Sequence, residues 1–153
     1  MPLILPGNVG SATAATGFNV ANSCRFNRAD STDMTLSMSS GGSQTKFTKS
    51  FWVKRCKIGE QHYIYDNSGT TQIFFHFRDT DTFQWQLYQS GGVVGQLTTT
   101  RLFRDPTAWM HILGVYDSAN GTAGNRMRLY INGVEETEFA TDTNPSDGQD
   151  SLW

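Results

Sequence analysis

The chain is poor in the groups that carry covalent and metal chemistry. Its 153 residues include two cysteines and three histidines. Neither Cys24 nor Cys56 sits in a C-x-x-C motif, so no zinc ribbon or dithiol redox pair is spelled out. His62, His76 and His111 fall on three separate strand-like segments, with no i, i+2 or i, i+4 pairing that would make a metal face. A G-x-S-x-G elbow and a phosphate loop are both missing. Charge is sparse too: 17% of residues are charged, the formal net charge is −2, and no basic cluster stands out. Phosphate recognition needs concentrated Lys and Arg, so no nucleic-acid partner is expected. No segment approaches the roughly 18 apolar residues of a membrane helix, and no membrane insertion is expected. Nor does any window hold a sustained helical period.

What the chain does have is alternation and turns. In "RMRLYINGVEETEF" (126–139), Met127, Leu129 and Ile131 point one way while Arg126, Arg128 and Tyr130 point the other. Asn132-Gly133 then supplies the two residues that tolerate positive φ in a type I′ hairpin turn. The second arm repeats the pattern with Val134 and Phe139 among Glu135, Glu136 and Glu138, and arginines facing glutamates would support the pairing. The same period of two puts Phe47, Phe51 and Val53 on one face, then Ile73, Phe75 and Phe77, then Phe83, Trp85 and Leu87. "AWMHILGVYD" is apolar on both faces, as a central strand should be. Between these runs lie "SSGGSQ", "DNSGT", "QSGGVVG", "DSANGTAGN" and "NPSDGQD", all turn chemistry. Many short alternating strands with frequent turns predict an all-β antiparallel sandwich, and the length predicts one domain with a real core.

The N-terminus stands apart. Residues Pro2, Leu3, Ile4, Leu5 and Pro6 form a short apolar stretch bracketed by prolines, followed by a Gly/Ser/Ala/Thr linker. The stretch lacks a basic leader and is cut too soon for a secretion signal, so synthesis and use from the host cytoplasm are expected. In that compartment two cysteines are more often free thiols than a Cys24–Cys56 bridge. Residues 1–18 read as an extended arm and linker, and 19–153 as the sandwich domain. The arm either docks onto a partner or covers an edge of the sandwich.

Candidate chemistry is thin. His111 shares a face with Trp109, Leu113 and Val115 and reads as a satisfied core histidine, whereas His76 alternates with Phe74 and Arg78 and reads as solvent-facing or at an interface. A glycosidase needs two carboxyl groups flanking a sugar cleft. The nearest run, Glu135, Glu136 and Glu138, reads as a solvated face, so no catalytic residue is assigned. Asp79, Asp81, Asp117, Asp142, Asp147 and Asp150 on the loops are compatible with Ca²⁺, but Asp and Asn are ordinary turn residues, and neither a metal nor a cofactor is predicted. Alternation puts Tyr63, Tyr65, Tyr88 and Tyr130 on outer faces, as interface or sugar-stacking aromatics.

The phrases "NSCRFNRADS", "FTKSFWVKR", "LTTTRLFRDPTAWMHILGVYDS" and "NRMRLYINGVEETEFAT" follow one another in order. Together they resemble the concanavalin A-like or laminin G-like jelly-roll domain of structural proteins of tailed bacteriophages, over nearly the whole chain. The opening "MPLILPGNVGSATAATGFNVANS" is similar to the N-termini of such proteins. The resemblance implies a two-sheet jelly roll in a virion protein, the N-terminal attachment part of a tail fibre or appendage, with other virion proteins as partners and a homotrimer as the family habit. It also implies that the domain continues beyond residue 153. A lectin-like module for host-surface glycans and a capsid-decorating protein are the alternatives.

Overall fold

The computed structural model describes residues 42–67 and 71–151, as nine strands and one short 3-10 turn at Ala123–Asn125. The strands are β1 (Lys46–Lys54), β2 (His62–Asp66), β3 (Thr71–Phe77), β4 (Thr82–Gln89), β5 (Gly92–Leu102), β6 (Trp109–Asp117), β7 (Met127–Ile131), β8 (Val134–Glu135) and β9 (Phe139–Thr143). They form two antiparallel sheets, one in the order β1-β6-β7-β8 and one in the order β2-β3-β4-β5-β9. This is the all-β antiparallel sandwich that the alternation predicts, with the two-sheet jelly-roll arrangement that the resemblance implies. Among the described residues the chain runs from β1 of the four-stranded sheet through most of the five-stranded one as a meander, returns for β6 to β8 and crosses once more for β9.

The predicted inner residues make the core. Ile73, Phe75 and Phe77 of β3 and Phe83, Trp85 and Leu87 of β4 are fully buried, facing Met110, Ile112 and Tyr116 of β6 and Met127, Leu129 and Ile131 of β7. Aromatic rings fill the space between the sheets. Phe75 stacks on Trp85 with centroids 4.9 Å apart, and Phe47 stacks on Tyr116 at the same separation. Phe77, Phe83 and Phe103 meet edge to face, the arrangement that ring quadrupoles favour. One inward residue is charged: Lys49 of β1 reaches across to β2, its Nζ lying 3.7 Å from the centre of the Tyr65 ring.

The hairpin turn is as predicted, with Asn132 at φ 52° and Gly133 at φ 80°. Asn132 also joins the turn to the neighbouring strand, because its Oδ1 accepts the His111 N–H and its own N–H donates to the His111 carbonyl, each at 2.8 Å. The second arm departs from expectation. It pairs over Val134 and Glu135 only, Val134 is exposed, and Phe139 belongs to β9 of the other sheet, opposite Thr99. The expected arginine–glutamate pairs across the hairpin do not form. Arg126 binds the Asn120 and Pro145 carbonyls, and Glu136 meets Arg101 of the other sheet at 3.9 Å. The crossing of the chain between sheets removes the arm before such pairs can align.

Gly114, in the middle of β6, allows a close approach of the two sheets. A Cβ there would lie 2.7 Å from Phe75 Cε1, against a ring that is itself stacked on Trp85. At Gly95 a Cβ would meet the Met127 Sδ at 2.8 Å, the end of a flexible side chain. Gly114→Ala should therefore cost about 1–3 kcal/mol by overpacking, and Gly95→Ala clearly less. Equal losses of thermal stability in the two variants, measured by circular dichroism, would show that the Phe75–Trp85 stack is not the rigid constraint.

Candidate functional site

One end of the sandwich is fixed by a buried ion pair. Arg55 directly follows β1 and is 2% exposed. Its Nη1 donates to Asp81 Oδ1 at 2.9 Å and to the Phe103 carbonyl at 2.8 Å, its Nη2 reaches the Glu60 carbonyl at 3.3 Å, and the guanidinium lies over the Phe77 ring. Asp81, in the left-handed region at φ 66°, also accepts the Gly59 N–H at 2.7 Å and the Arg104 Nε–H at 3.0 Å. The Gly59 amide, aided by Arg104 and Arg55, lowers the Asp81 carboxyl to about 2. The β1–β2 loop, the β3–β4 turn and the start of the β5–β6 loop are thereby tied together, across both sheets.

This end exposes large apolar side chains. Trp52 is 69% exposed and Trp109 is 63% exposed, on the outer faces of neighbouring β1 and β6. His111 pairs with Trp52 across the strands, with ring centroids 5.1 Å apart, and its Nε2 is 2.7 Å from Ser50 Oγ. His111 is thus an outer-face residue, not the core histidine that its apolar neighbours suggested. The inner face of β6 is the Met110, Ile112 and Tyr116 set, and Leu113 and Val115 are half-buried on the outside with His111. Tyr130 lies opposite Leu113 on the same outer face. Trp52 escaped the sequence reading. Its signal was the run Phe51-Trp52-Val53, in which a period of two must send one large apolar residue outward.

The outer face of the five-stranded sheet is built differently. His76, expected to face solvent or an interface, is 4% exposed. Its Nε2–H donates to Gln84 Oε1 at 2.6 Å and its Nδ1 accepts from Gln61 Nε2 at 2.9 Å. Gln84 Nε2 continues to Thr98 Oγ1, which Gln96 Nε2 also reaches. The result is a hydrogen-bonded row across β3, β4 and β5, and burial lowers the pKa of the imidazole. Amides and hydroxyls in this row give and accept hydrogen bonds and transfer no proton at ordinary pH. Tyr63 stacks on His76 at 4.8 Å and is half-exposed. Tyr88 lies on this face opposite Gln72. Tyr65 does not: a bulge between Tyr63 and Tyr65 turns it inward, edge-on to Phe75 and under Lys49. The four tyrosines therefore do not make one surface.

The remaining candidates scatter. Asp79 and Asp81 lie at the Arg55 end, Asp117, Asp147 and Asp150 lie at the other, and Asp142 lies between them, opposite Leu97 in the middle of β5. No group of three or more potential metal ligands forms among the described residues. Glu135, Glu136 and Asp142 border a cleft of about 260 Å³ with Leu97, Met127 and Phe139, where the chain crosses between the sheets. Cys56 is an exposed free thiol. Cys24 and the arm residues Pro2, Leu3, Ile4, Leu5 and Pro6 lie outside the described residues.

Residues 27–153 match a laminin G-type family model, that of the concanavalin A-like lectin/glucanases superfamily. The chain belongs to this superfamily. No curated protein and no solved structure matches it. A concanavalin A-like sandwich of this kind is compatible with carbohydrate-binding and with structural roles, and the geometry above offers a surface for each: a tryptophan-rich end and an amide-rich sheet face.

The Arg55–Asp81 pair gives this concanavalin A-like domain a defined acid limit. A carboxyl lowered from 3.8 to about 2 stabilises the fold fully above its unfolded value, and that contribution disappears as pH falls towards 2. Asp81→Asn should remove this part of the acid transition in chemical-denaturation curves taken from pH 5 down to about pH 2. Arg55→Met, which leaves the carboxylate short of its buried partner, should cost about 3 kcal/mol at neutral pH. An unchanged acid limb in Asp81→Asn would assign the limit to other carboxylates.

Proposed function

We propose that this chain is a non-catalytic assembly module of a bacteriophage particle, the particle-attachment domain of a tail fibre or similar appendage. The observation that carries the reading is the pair of exposed tryptophans, Trp52 and Trp109, on a rigid end of the sandwich. Monomeric surfaces seldom leave such rings in water, and aromatic residues are enriched where proteins meet. The half-buried Leu113 and Val115 beside them suit a protein partner better than a sugar, whose hydroxyls need polar neighbours. The ordered phrases shared with phage structural proteins point to the particle as the place where that partner is found. Residues 2–6 form the docking arm in this reading, other virion proteins are the partners, and a trimer is the default assembly.

A second reading has its own observation. The row formed by Gln61, His76, Gln84, Thr98 and Gln96, with Tyr63 stacked at its edge, is the kind of polar and aromatic surface that a host-surface glycan would use.

Purified particles decide between them. Gold-labelled antibody or cryo-electron microscopy should place the protein at the tail, and deletion of residues 2–10 should abolish its incorporation without unfolding the domain. Trp52→Ala with Trp109→Ala should lower incorporation at least tenfold, as loss of a central aromatic anchor does. Label spread over the head would make it a capsid-decorating protein. Absence from the particle, with saccharide binding on a glycan array, would replace the assembly reading with the lectin one.

A further inference from the structure

Asparagine or aspartate precedes glycine three times in the chain, at Asn120-Gly121, Asn132-Gly133 and Asp147-Gly148. Such a pair can react with itself, because glycine has no Cβ to keep its backbone nitrogen away from the side-chain carbonyl carbon before it. The three pairs differ in what holds them. Asn132 is committed to β6: its Oδ1 accepts the His111 N–H and its own N–H donates to the His111 carbonyl, each at 2.8 Å. Turning that side chain onto Gly133 would take the acceptor from His111. In the third pair it is the glycine that is committed. Gly148 lies on the strap that follows β9, where the Ser151 N–H bonds the Gln44 carbonyl. The Gly148 N–H, which would have to be the nucleophile, donates to the Ser118 carbonyl at 3.0 Å.

Asn120 is held the other way round. It lies in the largely exposed loop between β6 and β7, and its Oδ1 accepts the Thr122 N–H at 3.0 Å. That bond closes a ring of atoms containing both the Asn120 Cγ and the Gly121 nitrogen, so the side chain is folded over the peptide that would attack it. The Thr122 N–H also sits where negative charge would develop on Oδ1 during attack. Gly121 is exposed, and no described residue accepts its N–H. The backbone carbonyl of Asn120 accepts the Arg126 Nε–H at 2.9 Å.

We infer that Asn120 is a site of self-modification, at which the folded chain expels ammonia and converts asparagine to aspartyl linkages. The Gly121 nitrogen gives up its proton to base and bonds to the Asn120 Cγ. The bond from Cγ to the side-chain nitrogen breaks, and that nitrogen leaves as ammonia with a proton from solvent. A cyclic imide remains, and water opens either of its two carbonyls. Opening at Cγ restores the backbone and leaves a side-chain carboxylate. Opening at the backbone carbonyl carries the chain through Cγ, a β-linkage, and frees the backbone carboxylate instead. Arg126 distinguishes the two. Its Nε–H already donates to the oxygen of the backbone carbonyl, polarises that carbon for attack, and ends on a carboxylate, a stronger acceptor. The fold therefore favours the β-linked product. Either product adds a negative charge near Asp117 to a chain that is already net negative.

Peptide mapping by mass spectrometry tests this, on the full chain kept folded at mildly alkaline pH and sampled over time. The same chain in denaturant is the reference. When folded, Asn120 should convert about tenfold faster than Asn132, a difference of about 1.4 kcal/mol, the order of the hydrogen bonds that Asn132 must give up. In denaturant those bonds are gone and the two rates should converge. The β-linked share at Asn120 should be higher in the folded chain than in the denatured one. Gly121→Ala, whose Cβ would meet nothing within 4 Å, should suppress conversion at Asn120 and leave Asn132 unchanged. Equal rates at Asn120 and Asn132 in the folded chain, or a faster Asn132, would overturn the inference. So would a folded chain in which Asn120 stays intact while the denatured chain converts. A β-linked share that folding leaves unchanged would overturn the part given to Arg126.

Discussion

The contact on which the rest of the molecule depends is the one between Arg55 and Asp81. Two sheets that meet through apolar side chains alone can slide, because hydrophobic burial is non-directional. A guanidinium placed at the end of β1, bonded to a turn of the other sheet and to the carbonyl after β5, fixes their relation at that end. Burying such a cation is costly unless every donor finds an acceptor. Asp81, Phe103 and Glu60 supply most of them, and the Phe77 ring covers the guanidinium. The left-handed backbone at Asp81 belongs to the same arrangement: it turns the carboxylate towards Arg55, Arg104 and the Gly59 amide at once.

That constraint has consequences for recognition. The loops it ties together carry or adjoin Ile58, Leu102, Trp109 and Lys57, so exposed apolar groups sit on a frame that is already ordered. A partner that binds there need not order the loops first, which is the usual entropic cost of using loops for binding. The other end is held by a different device, the strap whose backbone bonds to Ser118 and Gln44. Both ends are rigid, and the Arg55 end is the one that exposes the tryptophans.

Much of the fold was legible because a period of two is a direct consequence of strand geometry. Phe75, Trp85, Leu129 and their neighbours could be assigned to one face before any strand was paired, and Asn132-Gly133 announced its turn. The errors have separate causes. Alternation divides residues between two faces without saying which face is inside, and β6 is apolar on both. His111 was therefore sent to the core with Leu113 and Val115, although the inner set is Met110, Ile112 and Tyr116. His76 was placed outside correctly as to face, yet the amides of Gln61 and Gln84 bury it there. Tyr65 was misplaced by a bulge, which shifts the period by one residue and leaves no composition signal. The Arg55–Asp81 pair joins residues 26 positions apart, and Phe103 lies another 22 beyond. Only the pairing of strands brings them together.

The candidate surfaces follow from this division between faces and ends. On the five-stranded sheet the outward positions include His76 with glutamines and Thr98, which satisfy one another along a row with Tyr63 at its margin. Among the described residues the four-stranded sheet has no comparable row of amides. Its outward side chains include Trp52, Trp109, Leu113 and Val115, which offer water little to bond. Two sheets that share one core thus differ outward, with bonded amides on one and exposed indoles beside Ser50 and His111 on the other. A surface whose polar groups already bond one another binds a new ligand only by exchanging those bonds, whereas exposed indole rings gain directly from being covered. On that asymmetry the tryptophan end, rather than the amide face, is where this module gains most by meeting a partner.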